Sequence, residues 1–514
     1  MKLSRKSFDL LRYNWKISII TILFFFFYTL ISIRVLVLYK ATAFDLGIFV
    51  NLIWRAAEGL PLFNPFENVH YFSLHFAPLI YLFGLFYRLV PSPIVLFVVQ
   101  GAALASVAPL VNSIARAHGF PEDISLRLAI GCGAFPSLFF ISIFGFHILT
   151  LALPVLLTAI LFIERNQIGM GLGVASLGML VREDMTVVLI GLGLYLLIRR
   201  DWRGWLGIIM GSVGLIIIKG MIMPLFGNGG FSYLNNYGYM SYILEKPLYA
   251  LAQAITLRDI LSGFILFGAL LFIPLLAPKQ LLGAVPLAAV YLLSTTVISF
   301  DFRLHYMAPL LPFLFWAWIE ASDHRLLRPH IRKFFWFPII VLITAYGLFP
   351  LVEPFDPWTR LSNHTAIQKG LTYIPERASV AASENLAAYL AERPLIYTFP
   401  YLVLKEGELT LTLPRGTPDY IAINLQGFFG KERYFNSART YVERALTNGY
   451  NALYAENGVV VLQQQRSQQE RFSPVSTVAQ RMLEQDIYKK GPLNPIQHFS
   501  KPLAAYLESI VKSQ

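Results

Sequence analysis

Asp45 in AFDLGIF, His75 in LHFAP, His147 in FGFHILTLALP, the triplet Arg182-Glu183-Asp184 in VREDM, and Asp301, Arg303, His305 and Tyr306 in SFDFRLHYMAPLLPF are the residues through which this sequence can do chemistry. A carboxylate such as Asp45, Glu183 or Asp184 can take a proton from a hydroxyl as a general base, so these three are the expected catalytic residues. Carboxylate oxygens combined with imidazole suit a divalent metal such as Mg, Mn or Zn, with Asp45, His147 and Asp184 as candidate ligands. Arginine and histidine suit a phosphate or pyrophosphate. That chemistry assigns substrate binding to Arg182, His75, His147, Arg303 and His305, with Tyr306 beside them. Glu58, Glu67 and His70 precede His75 in one polar stretch.

These residues stand at the edges of long apolar runs. The chain has 514 residues, 56% hydrophobic and only 14% charged, where a soluble domain carries about 25% charged residues. This is a polytopic, mostly α membrane protein. The expected spans are 17–38, 93–113, 125–145, 148–164, 168–181, 186–199, 205–226, 258–278, 281–299, 306–322 and 335–352, about eleven crossings at roughly 20 residues each. The stretches 44–57 and 76–90 are short and punctuated, and are expected to lie at the membrane surface. The first run lacks a small-residue cleavage site and reads as a retained anchor. Basic residues cluster at Lys2, Arg5, Lys6, Arg12 and Lys16, at Arg116 and Arg127, at Arg199, Arg200 and Arg203, and at Arg325, Arg328, Arg332 and Lys333. If 76–90 does not cross, every cluster falls on the cytoplasmic side. The net charge of +12 is then a topology signal and not a nucleic-acid surface. The expected location is the plasma (inner) membrane, with the N-terminus cytoplasmic and the C-terminal part external. Cys132 is the single cysteine, which excludes a disulfide framework.

The segments 168–181 and 186–199 are short for two full spans, and VREDM lies between them. Arg182, Glu183 and Asp184 would cost roughly 2.5–3.5 kcal/mol each in lipid. Two half-depth helices meeting at a protein-lined cavity accommodate them; one long tilted helix with a solvated cluster is the alternative. On this threading Asp45, the 58–75 stretch, His147, the 182–184 turn and residues 301–306 share the external side. Each has a plainer role open to it. Asp45 can cap the following helix, Glu58 can end one in solvent, residues 182–184 can form an internal ion pair, and Asp301 can pair with Arg303. The loop 227–256, rich in Tyr, Asn and Gly, is either an acceptor lid or an ordinary connection, and GMGLGVASLG from Gly169 suggests close helix packing. A transmembrane part, 1–354, gives way to a small α/β domain with a helical tail, 355–514. No P-loop, GxGxxG after a strand, HExxH or GxSxG is present.

An acid just after the first span, followed by surface-lying helices, resembles the GT-C superfamily of membrane glycosyltransferases. FDLGIF, His75–Pro78, FGFH with LALP, VRED and HYMAPLLPFLF together resemble the membrane family called domain of unknown function 2079, over most of the chain. Many GT-C enzymes carry a second acid at the turn where this sequence has His147, so a metal here would draw on His147 or on Glu183 and Asp184. The resemblance implies a GT-C-like helical fold and a glycosyltransferase. Such an enzyme would take a polyprenyl-phosphate-linked sugar donor at the external face and a lipid, glycan or protein acceptor there. Asp45 would be the base, and the arginines would face the phosphate. A transporter or flippase for lipid-linked or sugar substrates, or a non-catalytic envelope-assembly scaffold, is the alternative expectation.

Overall fold

A computed structural model describes residues 15–227, 255–294, 300–324, 330–348, 360–399, 401–405, 408–412, 417–425 and 432–465, with the isolated residues 245–248, 252, 327 and 357–358. Most of the 227–256 loop, the tail beyond 465, the basic N-terminus before Trp15, and Arg325 and Arg328 lie outside the described residues.

Among the described residues, four helices are long and apolar enough to cross a membrane: Trp15–Val37, Pro93–Ala117, Glu122–Phe144 and Gly204–Phe226. Leu79–Leu89, Ile148–Glu164, Ile168–Leu180 and Met185–Ile198 are shorter apolar helices. The chain is therefore a mostly helical membrane protein, but eleven full-length spans are not reached among the described residues. The expected span 258–278 breaks after Gly268, where Leu271 and Phe272 adopt left-handed backbone and Pro274 and Pro278 withhold amide donors. The expected span 281–299 likewise shrinks to Val285–Leu292 among the described residues.

The bundle core joins the first helix to the helices from Val107 to Ser322 around Trp316, Trp318, Phe135 and Phe140, all fully buried. Close packing falls mainly on the hairpin of Met185–Ile198 with Gly204–Leu215. A Cβ on Gly193 would sit 2.6 Å from the Gly204 carbonyl, so only glycine lets these backbones meet. Within GMGLGVASLG the expected close packing holds at Gly171, where an added Cβ would lie 2.7 Å from Ile163 and 2.9 Å from the Ala159 carbonyl, and at Gly178, 3.1 Å from Met185, but not at Gly169 or Gly173, which have nothing within 4 Å.

The C-terminal part contains a mixed five-stranded sheet with its strands in the order Ile396–Phe399, Val380–Ser383, Tyr420–Asn424, Val459–Gln464, Tyr450–Glu456. The strands Val380–Ser383, Ile396–Phe399 and Tyr420–Asn424 run parallel, and Tyr450–Glu456 and Val459–Gln464 form an antiparallel hairpin. Asn457 and Gly458, both at positive φ, make its two-residue turn. One face of the sheet carries the helix Glu432–Thr447. The other face shares a hydrophobic core with the segment 41–97 of the helical part, through Leu46, Phe49, Phe66 and Tyr87 on one side and Ile367, Leu386 and Leu390 on the other.

Candidate functional site

The segment that carries Asp45 is wound abnormally. Ala43–Gly47 closes as a π-turn with Gly47 N–H donating to the Thr42 carbonyl at 3.1 Å. Asp45 itself sits at φ 66°, ψ −84°, the dihedral region of a strained three-residue γ-turn. Such a backbone costs about 1–3 kcal/mol and persists only where its surroundings hold it. Here they do. Leu46 and Gly47 are buried, and a Cβ on Gly47 would lie 3.4 Å from Ala388 Cα, so the α/β unit packs against the turn. The result aims the Asp45 carboxylate away from the helix that follows it, Ile48–Ala57, which it does not cap.

Asp45 meets two histidines. Asp45 Oδ2 lies 3.6 Å from His305 Nδ1, and the His305 ring stacks on that of His147 at 3.4 Å and 6°. Donor atoms from Asp45, His147 and His305 lie within 4.8 Å of one another. Two ligands of one zinc ion, at about 2.0–2.2 Å each, stand roughly 3.3 Å apart, so Asp45 and His305 fit a shared divalent ion. His147 fits it less directly. Its Nδ1 accepts from the Leu149 amide at 3.0 Å, which leaves the proton of the neutral ring on Nε2. To ligate a metal it must release that amide; to donate a hydrogen bond it need change nothing. The turn that carries His147 is fixed by Gln100, whose Oε1 accepts from His147 N–H at 3.0 Å and whose Nε2 donates to the Gly145 carbonyl at 2.8 Å.

Arg182 enters from the break between Leu177–Leu180 and Met185–Ile198. Its Nε donates to Asp184 Oδ2 at 3.0 Å, its Nη2 reaches the same carboxylate, and Nη2 also donates to Tyr291 at 2.7 Å. Tyr291 in turn donates to Asp184. The guanidinium lies over the Tyr306 ring at 5.3 Å. Arg182 is 2% exposed and His305 5%. Among the described residues, Arg182 Nη1, Asp184 Oδ1 and both ring nitrogens of His305 are buried without a hydrogen-bond partner. Native proteins leave few such groups, and each needs a reason.

The charges act on one another across this space. Burial pushes the Asp45 carboxyl up to about 7, against the pull of Arg182 and with a further push from Glu67. Burial, aided by the charges of Arg182 and His75, holds both His147 and His305 well below the usual histidine range, so both rings are neutral.

The remaining sequence candidates divide. Glu183 is brought to the site's edge but is engaged: Oε1 meets His75 Nδ1 at 3.0 Å and Lys219 Nζ at 3.3 Å, and Oε2 accepts from the Phe76 amide at 2.9 Å. Burial pushes its carboxyl up, but His75, Lys219 and Arg182 outweigh that and hold it below the usual carboxylate range. Arg303 is clasped by Asp301, Nε to Oδ1 at 2.9 Å and Nη2 to Oδ2 at 2.6 Å, with Arg258 3.7 Å from the same acid. Glu58 lies in a separate surface pocket with Arg88. Tyr291, Gln100 and Lys219 were not anticipated. The last two are lone polar side chains inside apolar runs, VVQGA and IIKGM, and that isolation was the available signal.

A family model described as Predicted membrane protein (DUF2079) matches residues 34–461, a span that contains every residue of this site. No curated protein and no solved structure matches the chain.

Proposed function

The chain belongs to the family of predicted membrane proteins designated DUF2079, and on that premise we propose that it is a membrane-embedded glycosyltransferase using a polyprenyl-phosphate-linked sugar at the external face. The observation that carries this reading is the buried, unpartnered Arg182 Nη1, whose charge acts on a strained, mostly buried Asp45. A dry guanidinium with an unused donor suits a phosphate, and its stacking on Tyr306 fixes its plane.

In this mechanism Asp45 takes the proton from an acceptor hydroxyl. The hydroxyl oxygen forms a bond to the anomeric carbon, and the bond from that carbon to the phosphate oxygen breaks, with its electron pair leaving on the lipid phosphate. Arg182 Nη1 and the Nε2–H of His147 receive the charge that develops there. A carboxyl with a pKa of about 7 is matched to proton transfer near neutral pH. Glu183 positions rather than reacts, tying the His75–Phe76 segment to the turn that bears Arg182. A divalent ion held by Asp45 and His305 would supply Lewis-acid positioning of the donor phosphate.

The test is Asp45→Asn in the full chain, reconstituted in nanodiscs with labelled polyprenyl-phosphate sugar and native membrane acceptors. Transfer is expected to fall by about 10²–10⁴-fold with folding intact; undiminished transfer removes Asp45 as the base. The interrupted helices on either side of Arg182 favour a second reading, carriage of the lipid-linked sugar across the bilayer. Accumulation of intact donor inside vesicles without transfer would select it.

A further inference from the structure

We propose that His118, Glu164 and Glu320 form a second divalent-metal site, of the zinc class, at the opposite end of the helical bundle from Asp45. The proposal is independent of the transferase reading.

The three residues come from the ends of three helices that the fold brings together. His118 follows Val107–Ala117, Glu164 is the last residue of Ala152–Glu164, and Glu320 lies in the last turn of Leu311–Ser322. His118 Nε2 is 3.0 Å from Glu320 Oε2 and 3.4 Å from Glu164 Oε2. Two ligands of one zinc ion stand roughly 2.9–3.3 Å apart for angles between a right angle and the tetrahedral one, and both separations are close to that range. The nitrogen is buried yet makes no aligned hydrogen bond with either oxygen. Three atoms facing a common point behave this way; a donor aimed at an acceptor does not.

The surroundings hold the ligands from behind. Trp316 Nε1–H donates to Glu164 Oε1 at 2.8 Å, which turns Oε2 toward His118 and is the outer-shell arrangement that orients metal-bound carboxylates. Arg199 is engaged by the Tyr195 hydroxyl at 3.0 Å. Two carboxylates and one neutral imidazole carry two negative charges, which one divalent cation balances. A nitrogen ligand favours zinc or manganese over magnesium. The Glu320 side chain is 40% exposed, so an ion has a way in.

This cluster cannot share an ion with Asp45. The first helix starts beside it, with Lys16 bonded to Glu122 at 3.2 Å, and ends at Val37 next to the Asp45 turn. Its 23 residues rise about 34 Å between the two. Arg116, Arg165, Arg199, Arg200 and Arg203 lie in the same end regions as the cluster, the flanks that the positive-inside rule assigns to the cytoplasm. An ion here would clip three helices together on the side away from the transfer site.

The experiment uses the full chain in nanodiscs, stripped with chelator and titrated with zinc alone. Elemental analysis counts bound ions and thermal unfolding reads their effect. Wild type and Asp45→Asn should both take up the ion at this site, with a rise in unfolding temperature. Glu320→Gln, at the exposed rim where folding is least at risk, should weaken that ion's affinity by at least about tenfold. His118→Asn with Glu320→Gln should abolish it. Equal zinc affinity in wild type and both variants overturns the proposal, as does a wild-type chain whose only zinc is lost with Asp45→Asn.

Discussion

The short segment from Ala43 to Ala57 meets buried polar groups on two sides, and it meets them differently. Toward the α/β unit most of its polar groups are bonded, with Asn51 Oδ1 left over: Asn51 Nδ2 donates to the carbonyls of Ala391 and Arg393 at 2.6 and 2.9 Å, and Arg55 Nη1 donates to that of Pro394 at 3.0 Å. Close by, the Tyr389 hydroxyl accepts from the Ala41 amide and donates to the Leu36 carbonyl. Toward the bundle, Asp45 faces Arg182 and His305, whose Nη1 and ring nitrogens are left over. A buried hydrogen bond contributes about 0.5–1.5 kcal/mol net, whereas an unmade one costs about 1–3. The first side, with five such bonds against one unpartnered oxygen, therefore stabilises on balance, and the second side costs. An arrangement that costs stability and sits against a strained acid is what a binding site looks like when its ligand supplies the missing partners.

If the two sides differ in this way, substitutions should separate stability from chemistry. The largest effect is expected at Glu183, which belongs to the bundle side in place but to the bonded side in character. Glu183→Ala deprives Lys219, His75 and the Phe76 amide of one buried carboxylate, and breaking a buried charged set costs about 3–5 kcal/mol. Chemical unfolding in detergent measures it. The double variant with Lys219→Met should recover part of the loss; a Glu183→Ala chain as stable as wild type would show that this acid holds nothing.

Arg182→Lys tests the other character. A lysine keeps the charge near Asp184 but cannot bond Asp184 and Tyr291 while presenting a second donor to the pocket. Transfer from labelled polyprenyl-phosphate sugar should fall by about 10²–10³-fold, in the turnover number more than in KM, while the unfolding midpoint moves little. Equal losses of stability and turnover would mean that the arginine is only a brace, and the contrast between the two sides would fail.

How far the sequence reveals these two sides depends on how each residue is isolated. Asp45, His147, Arg182 and His305 interrupt apolar runs, where a charge or an imidazole finds little water, and the fold brings Asp45, His147 and His305 within 4.8 Å of one another under the field of Arg182. Arg303 interrupts a run in the same manner but carries its own partner, Asp301, two residues away. Spacing alone does not tell a residue that pairs locally from one that reaches across the fold. Tyr291 is invisible because tyrosines are abundant in interfacial belts. His118, Glu164 and Glu320 escape notice for the opposite reason: each stands at a helix end among basic residues, where charge is ordinary, and only their meeting in space marks them. The eleven expected spans are not reached among the described residues where the helix signal is averaged over proline and left-handed residues, as at Leu271 to Pro278.

The smallest of these effects is expected on the bonded side, at Asn51. Both hydrogen bonds of its side-chain amide cross from the 48–57 helix to the 391–393 turn of the α/β unit, and the residue is wholly buried. Asn51→Ala takes the donor from the buried Arg393 carbonyl and one of two donors from that of Ala391, which keeps the Arg393 amide, for a loss of about 1–3 kcal/mol. The shared apolar core around Leu46, Phe49 and Leu386 is untouched, so the unit should stay docked but open more often. Limited proteolysis in nanodiscs reads this as faster cleavage near residues 391–394. Because the Asp45 turn packs against Ala388 through Gly47, each opening also releases the strained backbone. Transfer should then fall in proportion to the open fraction, by less than about threefold, and not by the orders of magnitude expected at Arg182. A collapse of transfer in a chain that still folds would mean that the α/β unit belongs to the chemistry and is not merely a lid bonded over it.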